Sequence, residues 1–290
     1  MPAVFASTLC GYRVTDEGFL TDRPNMSDAS DTLSVRLGTA LLDALGVART
    51  CPAPTDPGAG LERGIKAALE AVRPDLEVVR GATVTGYAQY SHLDVLPRFV
   101  RNYVGSQALA RRIADRVARL PVGSDRSELA TLLAGLEGAL GAEAAVVEQL
   151  RRDLPGESIL KLDVAAARPG MGGALSELVV GVSAKWSLRT DRAQDCVSQG
   201  GRLVGLRRGR MPHYAVVTIE PRPAMLKIIA DGSGSVDCVY HLNLAALDVA
   251  IADVASTTPR ARSWVDTYHR LVDQRRLLDF DDLLAEVAAH

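Results

Sequence analysis

The sequence predicts an α/β protein with a mixed β-sheet flanked by helices and a helical elaboration N-terminal to that core. Three observations carry the prediction. From residue 158 onward, short apolar runs with a period of two alternate with helical stretches. Residues from about 100 to 155 show long helical periodicity instead. The 290 residues are 47% hydrophobic and 23% charged, a composition able to bury a sizeable core. One domain over residues 1–290 is expected, with the helical elaboration at about 100–155 inside it.

Taken in order, residues 32–46 read as a short amphipathic helix stopped by Gly46. A Pro/Gly connector at 51–60 precedes a helix from about Leu61 to Arg73, and an extended stretch runs from Leu76 to Tyr87. Leu109, Ile113, Val117 and Leu120 share one helical face, with Arg111, Arg112, Arg116 and Arg119 placed elsewhere as a solvated surface. Asp125 and Glu128 have the spacing of a capping box opening a Leu/Ala-rich helix that reaches about Leu154. Strands are expected at 158–167, 176–186, 213–220 and 236–241, and helices at 190–207, 242–253 and 258–274.

The sequence contains no run of 18 or more apolar residues, so no transmembrane helix is expected. The first residues lack the basic lead and apolar stretch of a secretory signal, which points to the cytoplasm. Cys10, Cys51, Cys196 and Cys238 are scattered without a CxxC pair, which argues against a disulfide framework and a four-ligand zinc site. Cys238 and His241 lack a second pair and read as strand residues. The net charge of −2 excludes a uniformly basic protein but not a local DNA-binding face. Only four of the 33 basic side chains are lysine: Lys66, Lys161, Lys185 and Lys227.

Two of these features bear on chemistry. In the strand around Asp163, Leu160, Leu162 and Val164 share one face, and the carboxylate lies on the other. A structural salt bridge is the plain reading of Asp163 alone. On the next strand, Ser183 and Lys185 share a face, and a lysine closing an apolar strand is unusual. An Asp on one strand and Ser-x-Lys on the following one suggest a metal-dependent phosphodiesterase. The Asp would hold a divalent cation, and the Lys would sit near the attacking water and the developing charge. Immediately afterwards comes Arg189-Thr190-Asp191-Arg192 at a helix start. Arginine matches the O6/N7 edge of guanine and aspartate accepts from the cytosine N4 amine, so this turn suits adjacent C and G bases. A solvated ion pair at a helix N-terminus is the alternative.

The stretch from Ser183 to Gln194 resembles the catalytic and recognition segment of NgoMIV-like type II restriction endonucleases, which read CCGG cores. Further matching pieces follow in order: Gly209-Arg210-Met211-Pro212-His213, Val217-Thr218-Ile219-Glu220-Pro221 and Asp237-Cys238-Val239-Tyr240-His241. Upstream, Tyr87-Ala88-Gln89-Tyr90-Ser91-His92-Leu93 fits, and Gly60-Leu61-Glu62 fits more loosely. The resemblance implies a restriction-endonuclease-like PD-(D/E)xK core and Mg²⁺-dependent double-strand cleavage of DNA. By position it makes Asp163 the central metal ligand, Lys185 the catalytic lysine, and Glu62 the upstream acid supporting metal or water. Ser183 stands where the wider superfamily has a carboxylate. Arg189, Asp191 and Arg192 would read the core, and Asp28 the outer base pair.

The chain departs from the family at three places. Gln199 replaces a glutamate of the recognition helix, with Asp195 one turn earlier on the same face. Asp163 and Lys185 are only 22 residues apart, shorter than the family's pattern. The resemblance implies that the segment usually found there helps pair dimers into tetramers, so a homodimer is expected, a tetramer being the alternative. Met225 takes the position of the outer-base arginine, with Arg222 and Lys227 nearby. The function expected is cutting at a palindrome with a CCGG core, GCCGGC as the best guess, before its first C to leave a 5′ CCGG overhang. The alternative is a sequence-specific DNA-binding protein on a nuclease scaffold with weakened or lost catalysis. A third is an unrelated α/β protein.

Other motifs read as structure. The stretch Pro169-Gly170-Met171-Gly172-Gly173 lacks a following Lys-Ser/Thr and reads as a turn. His92, His213, His241 and His269 form no metal-binding pattern and read as structural or DNA-backbone residues. Arg202, Arg207, Arg208 and Arg210 suit either phosphate contact or a solvated helix end.

Overall fold

The computed structural model describes residues 3–153, 160–231 and 234–289. Its elements, in chain order, are α1 (Ala6–Leu9), β1 (Tyr12–Val14), β2 (Leu20–Pro24), α2 (Thr32–Ala44), α3 (Pro57–Val72), β3 (Glu77–Thr83), α4 (Val95–Asn102), α5 (Gln107–Ala118) and α6 (Ser124–Asp153). After these come β4 (Lys161–Arg168), β5 (Glu177–Lys185), α7 (Thr190–Leu206), β6 (His213–Thr218), α8 (Pro223–Ala230) and β7 (Cys238–His241). The chain closes with α9 (Leu244–Thr257), α10 (Arg262–Asp273), β8 (Leu277–Asp279) and α11 (Phe280–Ala289).

The helix starts follow local chemistry. Asp31 accepts from the Leu33 amide to open α2, and Gly46 beyond its end takes φ 72°, a conformation that glycine adopts without strain. Asp56 likewise accepts from Ala59, with Pro57 in the first turn. Helix α3 therefore starts four residues before Leu61 and includes part of the stretch expected to be a connector, because proline is well suited to a first helical turn. Helix α6 opens at Ser124, so Asp125 lies inside the first turn rather than capping it, where its charge still favours the helix N-terminus.

Six strands form one sheet in the order β3-β4-β5-β6-β7-β8. Strands β3, β4 and β5 pair antiparallel, whereas β5, β6, β7 and β8 pair parallel. That is the mixed sheet expected from the sequence. The parallel half is nearly all apolar because helices cover it: every residue of β7 is buried, as are five of six in β6. Helix α3 packs on β3, β4 and β5, while α8 and α11 pack on β7. Each fully buried Val or Leu contributes about 1.5–3 kcal/mol, so these strands hold the frame for whatever their ends carry. Cys238 and His241 are strand residues of β7, as the sequence indicates. The glycine-rich segment before β5 is a turn, with Gly172 and Gly173 at φ 62° and 86°.

The expected strand at 158–167 is seen as β4; Ser158 and Ile159 lie outside the described residues, as does Leu154 at the expected end of α6. Helices α1, α4, α8 and α11 and strands β1, β2 and β8 were not anticipated. The chain divides into two compact units, Met1–Tyr90 with Leu160–His290, and Ser91–Ile159. In the second, α6 packs against α5 and α4, and Arg151 donates to the carbonyls of Val100 and Tyr103. Ser124–Arg152 is, by length and composition alone, long and apolar enough to cross a membrane, with a mean hydropathy of 1.4 over 18 residues. Glu137 and Glu143 interrupt its apolar run.

Candidate active site and base-reading turn

The β4–β5 ladder pairs Val164 with Val182, and this register brings Asp163 beside Ser183. The Oδ2 atom of Asp163 accepts from Lys185 Nζ at 2.8 Å, the Ala184 amide at 2.8 Å and Ser183 Oγ at 3.3 Å. The site is partly open, with Asp163 30% and Lys185 25% exposed, while Ser183 is fully buried. Three donors on one oxygen fix the carboxylate and hold the ammonium at the rim. They also leave Oδ1 without a bond among the described residues.

Behind this pair stands a polar bridge. Gln199 on α7 donates through Nε2 to the Lys161 carbonyl of β4, and its Oε1 accepts from the Tyr214 hydroxyl at 2.6 Å. Its carboxamide is thus taken up at both ends. Tyr214 is fully buried, and desolvation raises its hydroxyl well above the usual tyrosine range. Cys196 Sγ lies 3.7 Å from Ser183 Oγ as a packed neighbour, and burial raises its thiol, which disfavours the thiolate. The charges of Asp163 and Asp195 both act on Cys196 and Tyr214, which places the exposed Asp195 near the site.

Glu62 stands apart from these groups in its bonding. Its Oε2 accepts from Arg80 Nη2 at 2.8 Å and Nε at 3.0 Å, linking α3 to β3. Among the described residues no group of three or more His, Cys, Asp or Glu is gathered to hold a metal ion. Magnesium, however, is commonly held through one or two carboxylates with waters and substrate phosphate. A half-open carboxylate whose Oδ1 is unbonded among the described residues, as at Asp163, fits the chemistry of one such ligand.

From Lys185 the chain turns through buried Trp186 and Leu188 into α7. Arg189 occupies the N-cap position, and Asp191 lies in the first turn. Arg189, Asp191 and Arg192 are exposed and make no ion pair among the described residues. Three charges left unpaired on one turn are available to a ligand. The structure also brings Asp28 to this place from far upstream in the chain: its Oδ2 lies 3.6 Å from Arg222 Nη1. Hydrogen bonds from Ser30 hold the Asp28 carboxyl below its ordinary value, and Arg222 and Arg189 add to the effect.

Sequence reasoning missed Tyr214, the Ala184 amide and the linkage of Glu220 with Arg222. Glu220 is fully buried, and its two oxygens accept from the Leu188 amide, the Arg222 amide and the Arg222 guanidinium. The Glu-Pro motif drew attention to Glu220 but said nothing of this partner. The motif residue Gln89 is structural: it donates to the Leu178 carbonyl at 2.7 Å and accepts from its amide at 3.0 Å.

Comparison with known proteins bears on part of this site. Residues 167–289 match the model of the family described as NgoMIV restriction enzyme. Over 124 residues the chain is 38% identical to the type II restriction enzyme NgoMIV of Neisseria gonorrhoeae. That stretch is 43% of this chain and 41% of that enzyme. Ser183, Lys185, Arg189, Asp191, Arg192, Asp195 and Gln199 fall inside the family match, whereas Asp28, Glu62 and Asp163 precede it.

Proposed function

We propose that this protein is a type II restriction endonuclease, proceeding from the similarity of residues 167–289 to NgoMIV restriction enzyme. The observation that carries the reading is the fixed pair of Asp163 and Lys185, 2.8 Å apart, four residues ahead of the exposed charges at Arg189–Arg192. Hydrolysis of a phosphodiester needs charge stabilisation beside groups that locate the scissile phosphate, and this turn joins both functions in one short segment.

In the proposed mechanism Arg189 and Arg192 bind guanines of a CCGG core and Asp191 accepts from a cytosine amine. Asp28 stands at the outer base pair, GCCGGC being the favoured site. Docking brings the scissile phosphate to the rim where Lys185 is held by Asp163. The lysine ammonium then faces the charge that develops on the phosphate oxygens. Asp163 would hold a Mg²⁺ ion there, and the ion would supply polarisation of the phosphate and a more acidic water. Ser183 and the Ala184 amide keep Asp163 oriented throughout. Glu62 supports the water or metal only from within its bond to Arg80. Cutting before the first C of the core leaves a 5′ CCGG overhang. A palindromic duplex calls for a homodimer, and the protein acts in the cytoplasm.

A second reading, a DNA-binding protein with weakened catalysis, is favoured by one observation. Gln199 contributes no charge, and its amide is already bonded to Lys161 and Tyr214. Asp195 is therefore the better source of a second carboxylate. Asp195→Ala is expected to lower cutting by about tenfold or more, while Gln199→Glu gives no gain. A Gln199→Glu variant with raised activity, alongside a harmless Asp195→Ala, reverses that assignment.

The deciding experiment incubates purified protein with plasmid carrying GCCGGC and other CCGG sites, with Mg²⁺ or EDTA, and sequences the ends. Discrete Mg²⁺-dependent fragments with CCGG overhangs are expected. Intact plasmid together with a selective gel shift selects the binder instead, and neither cutting nor selective binding rejects both.

A further inference from the structure

The geometry points to Glu220 and Arg222 as the positioning pair of the base-reading turn, an inference that rests on the proposed reading of bases by Arg189, Asp191 and Arg192. The turn from Lys185 to Arg189 is fixed at its start, because Lys185 lies opposite Thr218 in the β5–β6 ladder. At its far end it has no strand partner. There Glu220, two residues beyond β6, takes over. Its Oε2 accepts from the Leu188 amide at 2.7 Å, and Arg222 Nη2 donates to the Leu188 carbonyl at 2.6 Å. Both backbone groups of the residue directly before Arg189 are thus held by one ion pair.

The pair is itself tightly determined. Arg222 Nε donates to Glu220 Oε1 at 2.6 Å, Nη2 to Oε2 at 3.1 Å, and the Arg222 amide to Oε1 at 3.1 Å. The Glu220 amide donates to Thr218 Oγ1 at 3.0 Å, tying the carboxylate's own backbone to the strand end. A buried carboxylate with four donors cannot drift, and a planar guanidinium can bridge a carboxylate and a carbonyl where an ammonium cannot. Arg222 Nη1 also lies 3.6 Å from Asp28 Oδ2. The pair therefore couples three pieces of chain: the strand end, the reading turn and the Asp28 loop. Neither Glu220 nor Arg222 is a catalytic residue in this account; each acts by fixing where Arg189 begins.

The test uses the full chain and compares its affinity for a CCGG duplex with that for a duplex having one core base pair exchanged, in EDTA. Arg222→Lys keeps the charge beside Glu220 but loses the fork to Leu188. Its selectivity ratio is expected to fall by about tenfold, the size of one mismatched pair, with the fold retained by circular dichroism. A merely structural role lowers the folded fraction and leaves that ratio unmoved. An unchanged ratio in folded Arg222→Lys overturns the proposal. A wild-type protein without selectivity rejects base reading itself, and this role with it. If the variant does not fold, amide exchange in the wild type decides: a slowly exchanging Leu188 supports the clamp, and exchange as fast as at exposed Thr190 sinks it.

Discussion

Two carboxylate–cation pairs lie by the adjoining ends of β5 and β6, where Lys185 stands opposite Thr218, and they differ in what is left over. At the β4–β5 site, Asp163 engages three donors on one oxygen, keeps the other unbonded among the described residues and remains 30% exposed. At the end of β6, Glu220 is fully buried with both oxygens engaged. The first pair retains bonding capacity for a substrate, and the second has none left and fixes backbone. Residue type does not separate the two roles; the count of satisfied lone pairs does.

The largest test of this contrast is stability. Glu220→Ala leaves Arg222 half-buried without its partner and is expected to cost about 3–5 kcal/mol, read from urea unfolding. Asp163→Ala, at a partly solvated site, should cost less, about 1–2 kcal/mol, mainly from the buried Ser183 hydroxyl losing its acceptor. Equal losses would break the comparison. Activity should sort the other way. Lys185→Ala is expected to slow cutting on the order of 100- to 1000-fold while leaving selective binding intact. Retained cutting removes Lys185 from the mechanism.

A third buried group sharpens the point. His241 faces Thr218 across the β6–β7 ladder, and burial lowers its pKa to about 4, so it is held neutral. Its Nδ1 accepts from the Asn243 amide. Above the ordinary value near 6.5 both folded and unfolded chains carry it neutral. As pH falls from 6.5 to 4 the unfolded chain binds the proton first, so stability drops by about 3 kcal/mol across that window. His241→Gln should flatten this part of the stability curve; an unaltered slope excludes His241 as its source. The smallest effect concerns reading: Arg189→Ala should lose about 1–3 kcal/mol of discrimination at a core guanine, measured by competition binding.

Much of this was legible in the sequence because it rests on local patterns. Period-two runs gave β4 to β7, and the same alternation paired Ser183 with Lys185. The capping and connector readings erred by a few residues where Pro57 and Ser124 extended helices beyond the apolar periodicity. Helix α8 was missed because it is only eight residues long and mostly apolar, too short for a helical period to stand out from a strand. What no local pattern encodes is which distant groups meet. The Gln199–Tyr214 bridge and the approach of Asp28 to Arg222 join residues 15 and 194 apart in number, brought together only by the sheet order.

The hairpin joining β4 to β5 has its own consequence. Its turn, residues 169–176, lies about 17 Å along the strands from Asp163, five residues at roughly 3.3 Å each. Segments added or removed there change how far apart Asp163 and Lys185 are along the chain without altering how they meet. An affinity tag or fluorescent insert grafted at Met171, 90% exposed, should therefore leave the chemistry undisturbed.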